Sequence, residues 1–187
     1  DTEPLPALQA FLSEHADAAE FVVKPAVGAG SRDAQRYARS QEFAAANHLA
    51  RLLDSDRSAL LQPYLSSVDE HGETALMYFA GGYSHAIRKG PLLRPDAGQT
   101  PHLFAAEAIS PREPHRDEFL LAERVLAATR NALGLPEAPT YARVDLIRDA
   151  DGQPRLLELE LCEPSLFFVH RPGSAESFTQ ALVHSLA

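Results

Sequence analysis

Arg143-Val144-Asp145-Leu146-Ile147, joined across Asp149-Ala150-Asp151-Gly152 to Leu156-Leu157-Glu158-Leu159-Glu160-Leu161, is the stretch on which the reading of this fold turns. Two runs of β-forming residues around an Asp/Gly turn predict a hairpin over Tyr141–Ile147 and Arg155–Leu161. Side chains alternate along a strand, so Glu158 and Glu160 project from one face and Leu157, Leu159 and Leu161 from the other. Asp145 is a charge inside an otherwise apolar strand. If it faces the two glutamates, three carboxylates converge on one surface. Such a cluster repels itself unless a cation neutralises it, and hard oxygen ligands suit Mg²⁺. An ordinary half-exposed strand also looks like Glu-Leu-Glu-Leu, so spacing alone leaves both readings open.

Outward from this hairpin, Asp117–Leu133 has helical periodicity and is stopped by Gly134 and Pro136. Glu73–Phe79 and Tyr83–Arg88 flank Ala80-Gly81-Gly82 and predict a first hairpin. Lys89–Pro101, with three prolines and two glycines, reads as a mobile loop. Leu60–Leu65 reads as a strand running into a connector, Gln41–Leu53 and Leu5–Ala19 as helices, Phe21–Val23 as a short buried strand, and Gly173–Ala187 as a closing helix. The sum is an α+β protein with mainly antiparallel sheets. Its length, 187 residues, suits one domain or two small lobes around a cleft.

Hydrophobic residues at 45% and charged residues at 23% fit a globular core. A formal charge of −9 argues against nucleic acid and against an anionic membrane surface. The apolar stretches are far short of a membrane span, and Asp1–Pro6 does not look like a signal peptide. The single cysteine, Cys162, rules out an intramolecular disulfide and fits a reducing cytoplasm. A start at Asp1-Thr2-Glu3-Pro4 without Met suggests a processed or truncated chain.

Three further groups carry chemistry. Lys24 ends the first strand immediately before Gly28, Gly30 and Ser31, where glycines let backbone amides turn towards an anion. A plain strand-to-glycine turn gives the same letters. His85, Arg88 and Lys89 close the first hairpin. Arg88 has the guanidinium geometry to pair with a phosphate, whereas His85 reads as a surface residue. Gln62, Tyr64 and Leu65 would suit an adenine ring through backbone and apolar contacts.

The order of these segments is more informative than any one of them. Val22-Val23-Lys24-Pro25 with its glycine loop is followed by Leu61-Gln62-Pro63-Tyr64-Leu65, then Gly72-Glu73-Thr74-Ala75-Leu76 and Ala86-Ile87-Arg88-Lys89, then Arg143-Val144-Asp145 and Leu157-Glu158-Leu159-Glu160. From about Phe21 to Phe167 the chain resembles the ATP-grasp superfamily, and within it the glutathione-synthetase-like and RimK-like ligases. It also looks similar to actinobacterial ligases of the O-ureido-serine cyclo-ligase kind.

The resemblance implies two α+β lobes around a nucleotide cleft, the smaller over residues 1–65 and the catalytic one over 66–187. It implies that Lys24 contacts ATP phosphates beneath a flap of Gly28, Gly30 and Ser31. Gln62, Tyr64 and Leu65 would line the adenine pocket, and Glu73 would hold the ribose. Arg88, with Lys89 and Arg143, would be catalytic, Arg88 steadying charge on the transferred phosphoryl group. Asp145, Glu158 and Glu160 would hold Mg²⁺, as two ions, with Mn²⁺ as a substitute. The implied activity is ATP-dependent C–N ligation through an acyl-phosphate, from a small-molecule carboxylate and an amine-type partner, in an enzyme that is often a homo-oligomer. A nucleotide-binding regulatory domain on the same fold is the alternative. Three positions depart from the family pattern. Glu160 stands where Asn is common, Ala75 stands where glutathione synthetase has Arg, and the N-terminal domain and second ATP-contacting lysine that the resemblance implies are not visible in these residues.

Overall fold

A computed structural model of the chain describes residues 3–28, 30–93 and 108–186. These fall into two units. One comprises the described residues of Asp1–Tyr64 and Leu92–Ala106, the other those of Leu65–Pro91 and Glu107–Ala187.

The first unit runs α1 (Pro4–Glu14), β1 (Glu20–Pro25), β2 (Gln35–Ala38), α2 (Glu42–Asp54) and β3 (Ala59–Pro63), with an antiparallel sheet in the order β2-β1-β3. Pro4 begins α1, where its missing N–H would have had no helical partner. On one face Phe21, Val23 and Tyr37 pack with Leu8 and Leu12 of α1 and Ala45 and Leu49 of α2. Each large apolar side chain buried this way contributes about 1.5–3 kcal/mol, which is why both helices stay on the sheet. The opposite face carries Val22, Lys24, Arg36 and Gln62, since Val22 is paired with both Arg36 and Gln62.

The second unit contains α3 (Val68–His71), β4 (Glu73–Phe79), β5 (Gly82–Lys89), β6 (Ile109–Arg112), α4 (Arg116–Leu133), β7 (Tyr141–Arg148), β8 (Pro154–Glu160) and α5 (Ser174–Ser185). Its sheet has the order β6-β5-β4-β7-β8 and every pairing is antiparallel. Leu76, Tyr78, Ala86, Val144 and Leu146 face α4 and its buried Ala122. On the other face Ala75, Met77, Phe79 and Ile87 pack with Leu166 and with Phe178 and Ala181 of α5. Towards the Lys89 end of that second face, apolar side chains give way to charged ones.

The helices and both hairpins expected from periodicity are present. Absent from the sequence reading were β2, β6 and α3. Each has four residues, too few for a pattern to repeat; β2 and β6 form by pairing with β1 and β5, and α3 is a single turn closed by its own backbone, His71 N–H donating to Ser67 and Gly72 N–H to Val68. The loop expected over Lys89–Pro101 begins one residue too early, because Lys89 pairs with Glu73 as the last residue of β5. Its residues 94–101 lie outside the described residues. Between α3 and β4, Gly72 has φ +69°, and a Cβ there would stand 2.4 Å from the Lys89 carbonyl oxygen and 2.9 Å from the Arg88 guanidinium. Only glycine fits that close approach.

Candidate functional site

The register of β7 and β8 assembles the acidic cluster. Asp145 pairs directly with Glu158, and Arg143 with Glu160. Directly opposed residues share a face, so all four side chains emerge on the same side of the sheet. One carboxylate oxygen from each of Asp145, Glu158 and Glu160 lies within 4.8 Å of the others. Asp145 is fully buried, Glu160 half-buried and Glu158 exposed.

Two cations are built into the cluster. Lys89 Nζ donates to Asp145 Oδ2 at 2.6 Å and pairs with Glu73 Oε2 at 3.1 Å. Arg143 Nε donates to Asp145 Oδ1 at 2.8 Å and Nη2 to Oδ2 at 3.0 Å, and Arg143 also pairs with Glu160. Burial would push the Lys89 ammonium down, but Asp145 and then Glu73 outweigh it, and the net displacement is upward. Arg143 is raised in the same way, with burial opposing and Asp145 prevailing. Glu160 is displaced upward chiefly by burial, Arg143 opposing and Glu158 and Asp145 adding. Four carboxylates, counting Glu73, face two cations, so the cluster is formally −2. An all-oxygen ligand set with that charge fits a hard divalent cation such as Mg²⁺.

Arg88 is elsewhere. It pairs with Thr74, one residue out of phase with Lys89, and so projects from the α4 face of the sheet. Its Nε donates to the His71 carbonyl at 2.8 Å and its Nη2 to the Glu70 carbonyl at 2.9 Å, holding the end of α3. Expected beside the carboxylates, Arg88 lies on the other face of the sheet, and its neighbour Lys89 is the one that faces them. From the sequence, Arg88-Lys89 offers two adjacent cations, and only the register says which one faces the acids.

His85 is corrected as well, from surface to core. It is 5% exposed and shares the cluster's face, with Nδ1 2.9 Å from Ser84 Oγ and Nε2 3.0 Å from the Leu166 carbonyl. Arg143 Nη1 donates to the neighbouring Ser165 carbonyl at 3.2 Å. Two side chains of the sheet thus clasp the segment after β8, where Phe167 holds φ +50°. Burial lowers the His85 imidazole, so its neutral form is favoured.

In the first unit, Lys24 sits on the sheet face opposite the helices, its side chain making no hydrogen bond or ion pair among the described residues. The turn after it has three left-handed residues, Gly30 (φ 60°), Ser31 (φ 57°) and Asp33 (φ 58°), while Gly28 has an ordinary backbone. Gln62 shares the Lys24 face, and Tyr64 follows β3 directly. The sequence reading missed Arg36, whose guanidinium stacks 3.7 Å from the Tyr64 ring centre and is held by Glu20 at 2.9 Å and 2.5 Å. No motif signals it, because β2 itself is invisible without its partner. Leu65 groups with the second unit.

No protein-family model matches the chain. It is 45% identical over 185 residues to the cycloserine biosynthesis protein DcsG of Streptomyces lavendulae, an alignment covering 99% of this chain and 61% of that protein. The crystal structure of D-cycloserine synthetase DcsG superposes with a TM-score of 0.93 at 45% identity, over 100% of this chain and 62% of that one. The chain thus spans about three fifths of the length of these relatives. More distant structures share the fold. D-alanine–D-alanine ligase from Bacillus anthracis matches at TM-score 0.61 and 18% identity, over 92% of this chain and 56% of that one. The ATP-grasp ligase PsnB, solved with Mg and ADP, matches at TM-score 0.56 and 18% identity, over 94% of this chain and 50% of that one. By sequence the chain is similar to DcsG, and it shares its fold with D-alanine–D-alanine ligase and the ATP-grasp ligase PsnB.

Proposed function

We propose that this chain carries the nucleotide and metal machinery of an ATP-dependent ligase that activates a carboxylate and closes a C–N bond. The single observation that carries this reading is the convergence of Asp145, Glu158 and Glu160 beside Lys89 and Arg143 on one end of a sheet face. An acidic cluster with its own cations is suited to a metal-bound polyphosphate, because charge spread over phosphoryl oxygens needs positive groups at fixed positions.

In this reading a substrate carboxylate oxygen attacks the γ-phosphorus, the bond to the bridging oxygen breaks, and ADP departs. An amine-type nitrogen then attacks the acyl carbon, and phosphate leaves with the bonding pair. Lys89 and Arg143 hold negative charge on the phosphoryl oxygens. Asp145, Glu158 and Glu160 hold Mg²⁺ (two ions, with Mn²⁺ able to substitute), which offsets charge on the polyphosphate. Lys24 binds phosphate, the backbone of Gly28, Gly30 and Ser31 shields it, and Gln62, Tyr64 and Leu65 contact adenine. Glu73 holds ribose hydroxyls as well as Lys89. Since the relatives are named for making D-cycloserine, a ring, the amine and the carboxylate belong to one small molecule in the favoured version. The enzyme works in the cytoplasm, where ATP is plentiful.

Calorimetric titration with Mg²⁺ and a non-hydrolysable ATP analogue tests the site. Binding that needs Mg²⁺ and is lost in the Asp145→Ala, Glu158→Ala double variant supports the reading. Absence of such binding in the chain extended to its relatives' full length refutes it. ADP release on adding a carboxylate substrate separates a ligase from a domain that only binds nucleotide.

A further inference from the structure

Asp145 is the best-defended carboxylate of the cluster. None of its surface is exposed, and its two oxygens receive three N–H donors, from Lys89 Nζ and from Nε and Nη2 of Arg143. The lone pairs a metal ion would use are thus shared with two fixed positive charges. The two cations differ in how firmly they are held. Arg143 is tied by four hydrogen bonds, three of them charge-assisted to Asp145 and Glu160 and one to the Ser165 carbonyl, and its guanidinium lies 5.7 Å from the Phe167 ring centre. Lys89 is tied only through its ammonium, to Asp145 and Glu73. An ammonium on a four-carbon stem can re-aim, whereas a planar fork bound on several sides cannot.

We propose that Lys89 is the built-in counterion of Asp145. It disfavours a free divalent cation at the cluster, and it yields Asp145 when a polyphosphate offers its ammonium a new acceptor. The site therefore takes its metal together with the nucleotide rather than before it. This inference rests on the ligase reading, and three considerations lead to it. A divalent ion ligated by Asp145 would stand within a few ångströms of the Lys89 ammonium, where like charges repel with little screening in a buried setting. Polyphosphate oxygens attract the ammonium at least as strongly as Glu73 does, and they bring negative charge that a second cation can balance. Glu73, 3.1 Å from the ammonium, keeps Lys89 anchored on the cluster's side while Asp145 is given up.

The test is calorimetric titration of the chain extended to its relatives' full length, with Mn²⁺ alone and then with Mg²⁺ and the ATP analogue, on wild type and three variants. Lys89→Met keeps the stem and removes the charge. It is expected to tighten nucleotide-free Mn²⁺ binding by about fivefold or more and to weaken metal–nucleotide binding by about tenfold, the usual range for one close charge. Glu73→Gln leaves Lys89 leaning on Asp145 and removes a negative charge, so it should shift Mn²⁺ affinity in the opposite direction. Opposite shifts from neighbouring positions are not a consequence of misfolding. Arg124→Met removes the same unit charge from the exposed side of α4, and should leave both affinities within about twofold. A Lys89→Met chain that holds Mn²⁺ no tighter than wild type, while wild type binds the metal–nucleotide, overturns this inference alone. Failure of wild type to bind the metal–nucleotide overturns the ligase reading together with it.

Discussion

Asp145 and Glu158 are direct partners across β7 and β8, yet neutralising each should have opposite effects on stability when metal and nucleotide are absent. Asp145→Asn keeps the shape of the side chain and removes the charge that Lys89 and Arg143 share. Breaking a buried ion pair from one side costs about 3–5 kcal/mol, because the remaining charge is left uncompensated. Here the loss is partly offset, since Lys89 retains Glu73 at 3.1 Å and Arg143 retains Glu160, and about 2–4 kcal/mol remains. In a chain of this size that is a fall in Tm of about 4–15 °C. Glu158 is exposed and sits among like charges, so Glu158→Gln relieves repulsion and should change stability by about 0.5 kcal/mol at most, in the stabilising direction. Thermal unfolding followed by circular dichroism, with a chelator present, measures both. The reasoning fails if Asp145→Asn is as stable as wild type, or if Glu158→Gln loses as much as Asp145→Asn does.

Other consequences follow from particular contacts. Arg88→Met removes two hydrogen bonds to the end of α3, so it should cost about 1–2 kcal/mol in denaturant unfolding while leaving metal–nucleotide affinity within error. Gly72→Ala forces a Cβ against the Lys89 carbonyl at a positive φ; about 3 kcal/mol of stability should go, and metal–nucleotide affinity should fall with it because Lys89 is displaced. Burial holds the His48 and His85 imidazoles below their ordinary 6.5, in each case as the leading cause. Below that pH the unfolded chain takes up protons that the folded chain resists, so stability should be full above about pH 6.5 and decline as pH falls beneath it. A Tm profile between pH 7.5 and 5, compared with that of a His48→Gln, His85→Gln variant, should show the variant flatter.

What periodicity determines is the existence and type of the long elements. Helices α2 and α4 and the hairpins β4–β5 and β7–β8 are legible because apolar residues recur at 3.6 or at 2 along them, and Gly134 ends α4 in the left-handed conformation at φ 62°. The same alternation puts Glu158 and Glu160 on one face without any knowledge of the fold. Alternation does not reveal phase. Whether Arg88 or Lys89 faces the carboxylates depends on which of them pairs with Glu73, and that depends on the closing geometry around Gly72 and on which face α4 covers. His85 is buried because Leu166, 81 residues away, brings a carbonyl to its ring. Arg36 matters because β2 pairs with β1 and carries it to Tyr64. Local sequence sets which residues share a face of one strand, since that follows from backbone geometry. Which faces meet is a long-range matter of register and packing, and here it decided which lysine or arginine stands beside Asp145.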